Sequence, residues 1–299
     1  MIELKAVSKS FGDFKALNEL SMHVEKGSVY GLVGPNGAGK TTALRHITGV
    51  YRQDQGQVLI GGDVVYEHPE VKQRFVFIPD DIFYFVHANL KDMKRYYQGI
   101  YPDFSEEVYD KIRGCFPDIK ENKAMRSLSR GMQKQAAILL ALACRPEILI
   151  MDEPVDGLDP VMRHQIWSLI MNDVTERTMT VLVSSHNLRE LEDVCDHVGI
   201  MHHGKIVLEQ SLESLQDNIS KVQLAFAEDK EPDLTGLDVL AHNITGRVHT
   251  IIIRAGQDKI RTCLACQNPV ILDMLPLTLE EVFIYEMGGD DYAVKQILF

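Results

Sequence analysis

Apolar residues fall into short runs punctuated by glycine, proline and charge, and their spacing predicts alternating strands and helices over the first two thirds of the chain. Residues 1–7 and 20–24 alternate or are β-branched and read as half-buried strands. Residues 29–33 (VYGLV) lack a charged position and read as a strand buried on both faces. Residues 40–48 have helical character. Residues 57–65, interrupted by Gly61 and Gly62, read as a hairpin, and residues 74–79 (RFVFIP) as another buried strand.

From Leu90 to about Ile119 the pattern turns charged, aromatic and helix-periodic, with Pro102 and Pro117 as interruptions, which predicts a helical insertion between core strands. Ser129 is placed to cap a helix whose apolar face is Ala136, Leu139, Leu140 and Ala143, and Pro146 ends it. A strand at 148–151, a helix at 161–177, a strand at 180–184, a helix at 187–195 and a hairpin over 198–208 turning at His203 and Gly204 complete this part. The alternation predicts a mixed, largely parallel sheet. A short helical stretch at 212–219 leads to a new pattern: Val222, Leu224 and Phe226 alternate, 248–254 and 270–275 read as strands, 258–266 as a helix, and a last helix starts at Thr278. The expected organisation is an α/β domain over 1–216, with a helical insertion at about 88–135, and a small α+β domain over 217–299.

Length and composition agree with two folded domains: 299 residues, 45% hydrophobic and 25% charged. A net charge of -12 argues against a broad phosphate-neutralising surface, so nucleic acid is not an expected partner. The longest apolar run, 136–144, is far short of the roughly 20 residues a membrane span needs. The N-terminus carries early charges and no signal-peptide core, so the chain is expected to fold in the cytoplasm. Five scattered cysteines fit a reducing compartment, and the Cys263–Cys266 pair reads as part of a helix face because no second pair or histidine set accompanies it.

Three stretches carry chemistry. Gly34, Pro35, Asn36, Gly37, Ala38, Gly39, Lys40, Thr41 and Thr42 (GPNGAGKTT) form a phosphate loop between a buried strand and a helix start. Its glycines let backbone amides close on phosphate oxygens, Lys40 brings a charge to the β and γ phosphates, and the Thr41 hydroxyl reaches Mg²⁺. In ILIMDEP, Asp152 at the strand end is the candidate to hold Mg²⁺, and Glu153 the candidate to orient and deprotonate a water. In LSRGMQKQ, residues 128–135, Ser129 and the Gly131 amide stand at a helix N-terminus, a ready anion site with no partner of its own to serve.

The order and spacing of GPNGAGKTT, LSRGMQ, ILIMDEP, the following VDGLD and a lone histidine in VSSHN resemble the ATP-binding-cassette (ABC) family over residues 1 to about 215. The resemblance implies a P-loop NTPase that binds ATP and Mg²⁺ and forms a head-to-tail dimer with itself or a homologous ATPase, one copy's phosphate loop facing the other's LSRGMQ. By the same resemblance His186 touches the γ phosphate, Asp159 helps pair the copies and Phe11 stacks on adenine. Asp80 stands where the family usually has glutamine, a position that links metal, water and membrane partner. Met132, with the PLTLEEVF tail, resembles the branch that powers drug and peptide exporters, whereas Arg130 replaces a common glycine. The implied function is an ATP-hydrolysing subunit at the inner face of the membrane, acting on a separate permease, in the export direction. A soluble ABC ATPase working in assembly, translation or repair is the alternative.

Overall fold

The computed structural model describes residues 1–212, 214, 219–227, 230–275, 277, 278, 280, 281 and 285. These fall into two compact units, Met1–Glu209 and Gln210–Phe299, so the division comes a few residues before the one the sequence pattern suggests.

The first unit contains two sheets. One is antiparallel, ordered β2-β1-β4-β5, from β1 (Ile2–Phe11), β2 (Phe14–Val24), β4 (Gln55–Ile60) and β5 (Asp63–Val64). The other has six strands in the order β10-β9-β3-β8-β7-β6, from β3 (Val29–Val33), β6 (Phe75–Ile78), β7 (Ile148–Asp152), β8 (Thr180–Ser185), β9 (His197–His202) and β10 (Lys205–Ser211). β9, β3, β8, β7 and β6 pair in parallel. Every residue of β3, β7 and β8 is buried, as a parallel sheet covered on both faces requires. Ile2, Leu20, Leu32, Leu44, Ile60, Ile150 and Leu182 join the two sheets into one core around helix α1 (Lys40–Ile47).

Helix α2 (Pro69–Lys72) precedes β6, and the insertion consists of α3 (Leu90–Ile100) and α4 (Glu106–Cys115). Asn89 and Asp92 form a reciprocal capping box at the start of α3, and Ser105 caps α4. Helix α5 (Arg130–Ala143) follows, capped by Ser129, and its ten residues from Lys134 to Ala143 are all buried. It packs against α3, α4, β6 and helix α6 (Pro160–Arg177), so the single apolar face expected from its sequence is a helix covered all round.

Two expectations change in this unit. The helix at 187–195 is a 3-10 turn, Leu188–Glu190, followed by further turns. Leu188, Leu191 and Cys195 are buried at helical spacing, but several of the amides close on carbonyls three residues back, and Asn187 caps the turn through the Arg189 amide. The first strands are also longer than expected, because residues 8–11 and 14–19, mixed in polarity, continue an antiparallel ribbon whose register shifts at bulges.

The second unit has one antiparallel sheet in the order β12-β13-β11-β14, from β11 (Ser220–Ala225), β12 (Val239–Thr245), β13 (Val248–Ile253) and β14 (Ile271–Leu275), with helix α7 (Gln257–Ala265). Val222, Leu224, Ile251 and Ile253 face Ile260 and Leu264 of α7 to make a separate core. β12 escaped the sequence pattern because it is an edge strand with four consecutive exposed residues. Most of the helix expected from Thr278 and most of 212–219 lie outside the described residues, as do Pro276, Leu279, Val282 and Phe283 of the PLTLEEVF tail. Cys263 on α7 is half-buried and Cys266, just past its end, is exposed, both free; among the described residues no cluster of three His, Cys, Asp or Glu could hold a metal.

Ile260 is fully buried, so Ile260→Ala should remove about 2–5 kcal/mol from the unfolding free energy of this unit, read by urea denaturation or by amide exchange of β13.

Candidate active site

The phosphate loop runs from the end of β3 into α1. Gly37 and Gly39 have φ of +84° and +108°, and a Cβ at Gly39 would stand 2.8 Å from the Ala16 carbonyl oxygen. Only glycine meets both demands. Lys40 is 6% exposed and turns back over the loop, donating to the Gly34 and Pro35 carbonyls at 2.6 and 3.3 Å, with Glu153 Oε1 at 3.5 Å. Burial pushes its ammonium below the ordinary lysine range, and the Glu153 and Asp152 carboxylates offset part of that. An anion arriving in the loop would be a further partner for it.

Sheet register builds the acid site. Asp152 at the end of β7 is opposite Ser184 on β8. Its buried carboxylate accepts from the Ser184 hydroxyl at 2.5 Å and from the Thr41 hydroxyl at 2.7 Å. A buried carboxylate flanked by hydroxyls suits a hard cation that takes oxygen ligands and retains waters, so the residues present fit Mg²⁺.

Glu153 has φ of +47°, a left-handed conformation that costs a non-glycine residue on the order of 1–3 kcal/mol. Surrounding bonds hold it there. Its amide donates to the Ser184 carbonyl at 3.2 Å, and its Oε2 accepts from the His186 amide at 3.3 Å and lies 2.9 Å from His186 Nδ1. A carboxylate only accepts, so Nδ1 is the donor of this contact, and the ring is otherwise exposed.

A cleft of ≈ 300 Å³ collects Pro35, Asn36, Gly37, Gly39, Lys40, Thr41, Thr42, Asp80, Asp152 and Glu153. Gly34 and Ala38 are buried beneath it. The aromatic residue on its rim is Phe14, not Phe11. The two are partners across the turn of the β1–β2 hairpin, and the Phe11 ring stands edge-on to Tyr51 at 5.5 Å. Phe14 had a signal in the sequence, an aromatic next to the turn in FGDF.

Ser129, Gly131 and Asp159 do not line this cleft. Ser129 is exposed and accepts from the Met132 amide at 3.3 Å; Asp159 caps α6 through the Val161 and Met162 amides, each at 3.0 Å. Gly131 has the Leu158 side chain on one side and open space elsewhere.

Sequence reasoning gave no role to Ser184 or to Lys134. Lys134 is buried and its Nζ lies 2.6 Å from the Glu153 carbonyl, 3.1 Å from the Asp156 carbonyl and 3.4 Å from Asp80 Oδ1. The available signal was a cation in line with Ile138 and Ala141 on a helix bound for the core, a place where lysine needs a partner.

Comparisons with known proteins identify the family. Residues 17–156 match the family model described as ABC transporter. The ABC transporter ATP-binding protein YtrB of Bacillus subtilis is 32% identical over 97% of this chain and 99% of its own length. The linearmycin resistance ATP-binding protein LnrL of the same organism is 27% identical over 96% of this chain and 98% of its own. Among solved structures, a dimeric ATP-binding cassette in a post-hydrolysis state bound to ADP and Pi superposes with a TM-score of 0.62 at 23% identity, covering 71% of this chain and 99% of that one. A phosphate loop, a hydroxyl-flanked buried aspartate and a pinned glutamate, in a chain matching such a relative from end to end, make this protein an ATPase of the ABC transporter family.

Proposed function

We propose that this chain is the ATP-hydrolysing subunit of an exporter, pairing head-to-tail with a second ABC ATPase and acting on a separate membrane permease. The observation that carries the reading is the one-sidedness of the site. Lys40, Thr41, Asp152 and Glu153 line the cleft, whereas Ser129 and Gly131 stand at the start of a helix outside it. Ser129 and the amides of the first turn of α5 suit a phosphate that their own chain does not bring to them.

In this reading the loop amides and Lys40 hold the β and γ phosphates, and Phe14 on the rim of the cleft offers a face to the adenine. Thr41 and Asp152 would hold Mg²⁺, which neutralises developing charge on the phosphates. Glu153 orients the attacking water and takes its proton. His186, whose Nδ1 bonds Glu153, can also donate from Nε2 to a γ-phosphate oxygen in its imidazolium form, the form in which both ring nitrogens carry a proton. Ser129 and the Gly131 amide complete the other copy's site, and Asp159, capping α6 next to Leu158, stiffens the segment that meets the partner.

Among the described residues no helix is long and apolar enough to cross a membrane. One observation supports a membrane partner. Phe83, Phe85 and Val86 are exposed just beyond Asp80, and Phe83 and Phe85 cluster with the exposed Tyr96 of α3. Such an aromatic patch on a monomer marks a contact surface. The exporter direction rests on LnrL, a resistance ATP-binding protein, as a relative.

Co-purification of the tagged chain with an integral-membrane protein tests the partner; capture of ribosomes or DNA instead overturns the transport reading. Glu153→Gln should keep ATP binding, trap a dimer and lower turnover at least about 100-fold, the lower bound for losing a general base; near-normal turnover removes Glu153 from that role. Gly131→Asp should leave ATP binding by a single copy intact and abolish dimer-dependent hydrolysis, because it sets a negative charge against the γ phosphate. Hydrolysis indifferent to this substitution, measured against protein concentration, excludes the head-to-tail site.

A further inference from the structure

Lys134 stands on α5 one turn beyond Ser129 and Gly131, with its side chain only 8% exposed. An ammonium has three protons to donate and no acceptor. Here three acceptors surround it: the carbonyls of Glu153 and Asp156 at 2.6 and 3.1 Å and Asp80 Oδ1 at 3.4 Å. Two of the three belong to the backbone of the segment that carries Glu153. Asp80, where a glutamine is usual in the family, supplies the countercharge.

The shortest contact falls on a backbone that needs support. Glu153 is in the left-handed region at φ +47°, and such a residue keeps that conformation only where its surroundings over-determine it. Its amide is engaged by Ser184 and its carboxylate by His186. Its carbonyl is engaged by Lys134. Relaxing the backbone toward the extended region would re-aim that carbonyl away from the ammonium and swing the carboxylate off the cleft.

We propose that Lys134 is a positioning residue for hydrolysis: its ammonium fastens the Glu153 peptide in the conformation that aims the carboxylate at the cleft, and ties that aim to the helix bearing Ser129 and Gly131. Engagement of this helix by the other copy's nucleotide therefore bears on the Glu153 of its own copy. The proposal rests on the reading of Glu153 as the base.

The test compares steady-state ATP hydrolysis of the full chain with that of Lys134→Met and Lys134→Arg, with ATP affinity and thermal midpoint measured on each. Lys134→Met should lower kcat about 10–100-fold, the scale of a displaced catalytic group, while KM moves less than about threefold and ATP affinity holds. Lys134→Arg, which keeps the charge and the donors, should restore most of that loss. Wild-type kcat in Lys134→Met overturns the proposal. So does a loss in which kcat, ATP affinity and thermal midpoint fall together and arginine does not rescue. If the methionine variant does not fold, Lys134→Gln decides by the same split of kcat from KM. Glu153→Gln runs alongside: normal turnover there refutes the catalytic assignment itself, whatever Lys134 does.

Discussion

The parallel pairing of β7 with β8 is the constraint on which the site depends. It sets Asp152 opposite Ser184, so one serine serves two neighbours: its hydroxyl bonds the Asp152 carboxylate and its carbonyl receives the Glu153 amide. With the amide pinned, the chain leaves the sheet through a left-handed residue, and the carboxylate of that residue turns toward Lys40 and His186. A slip of one residue would exchange the faces of every side chain on β7 and put Met151 where the buried carboxylate stands. Both strands are buried on both faces, and their polar carboxyl ends, Asp152 on one and Ser184 and Ser185 on the other, distinguish the register from an apolar interior that would not.

The phosphate loop faces a different constraint. Lys40 is held over its own loop by two carbonyls, so its charge is in place before any nucleotide arrives. Burial weakens the hold of its proton, and the carboxylates of Glu153 and Asp152, at and just past the end of β7, offset part of this. The cleft thus presents one buried cation framed by acids, an arrangement that favours an anion accompanied by its own metal over a bare one.

Much of this was legible in the sequence for reasons that can be named. The loop, the acids at the strand end and the signature helix are each encoded within a few consecutive residues, and their chemistry follows from local geometry. What escaped was non-local. Ser184 matters because of its register partner, and Lys134 because of two carbonyls some twenty residues away in the chain. Phe14 rather than Phe11 borders the cleft, and two aromatics flanking one turn in FGDF carry no local signal that chooses between them. The turn at 188–190 imitated a helix because apolar anchors at helical spacing say where side chains are buried, not how the backbone closes its bonds. Edge strand β12 offered too little apolar surface to register at all.

Helix α5 has no solvated side over its last ten residues, where it is wedged among α3, α4, α6 and β6. Packed interiors compress little, so a helix enclosed in this way moves as a rod. A push on its first turn cannot be absorbed by bending or by a side chain swinging into water. It arrives instead at β6, whose strand ends beside Asp80, and at the aromatic patch just beyond. Mechanical stiffness is what the burial of an otherwise plain alanine- and leucine-rich helix provides.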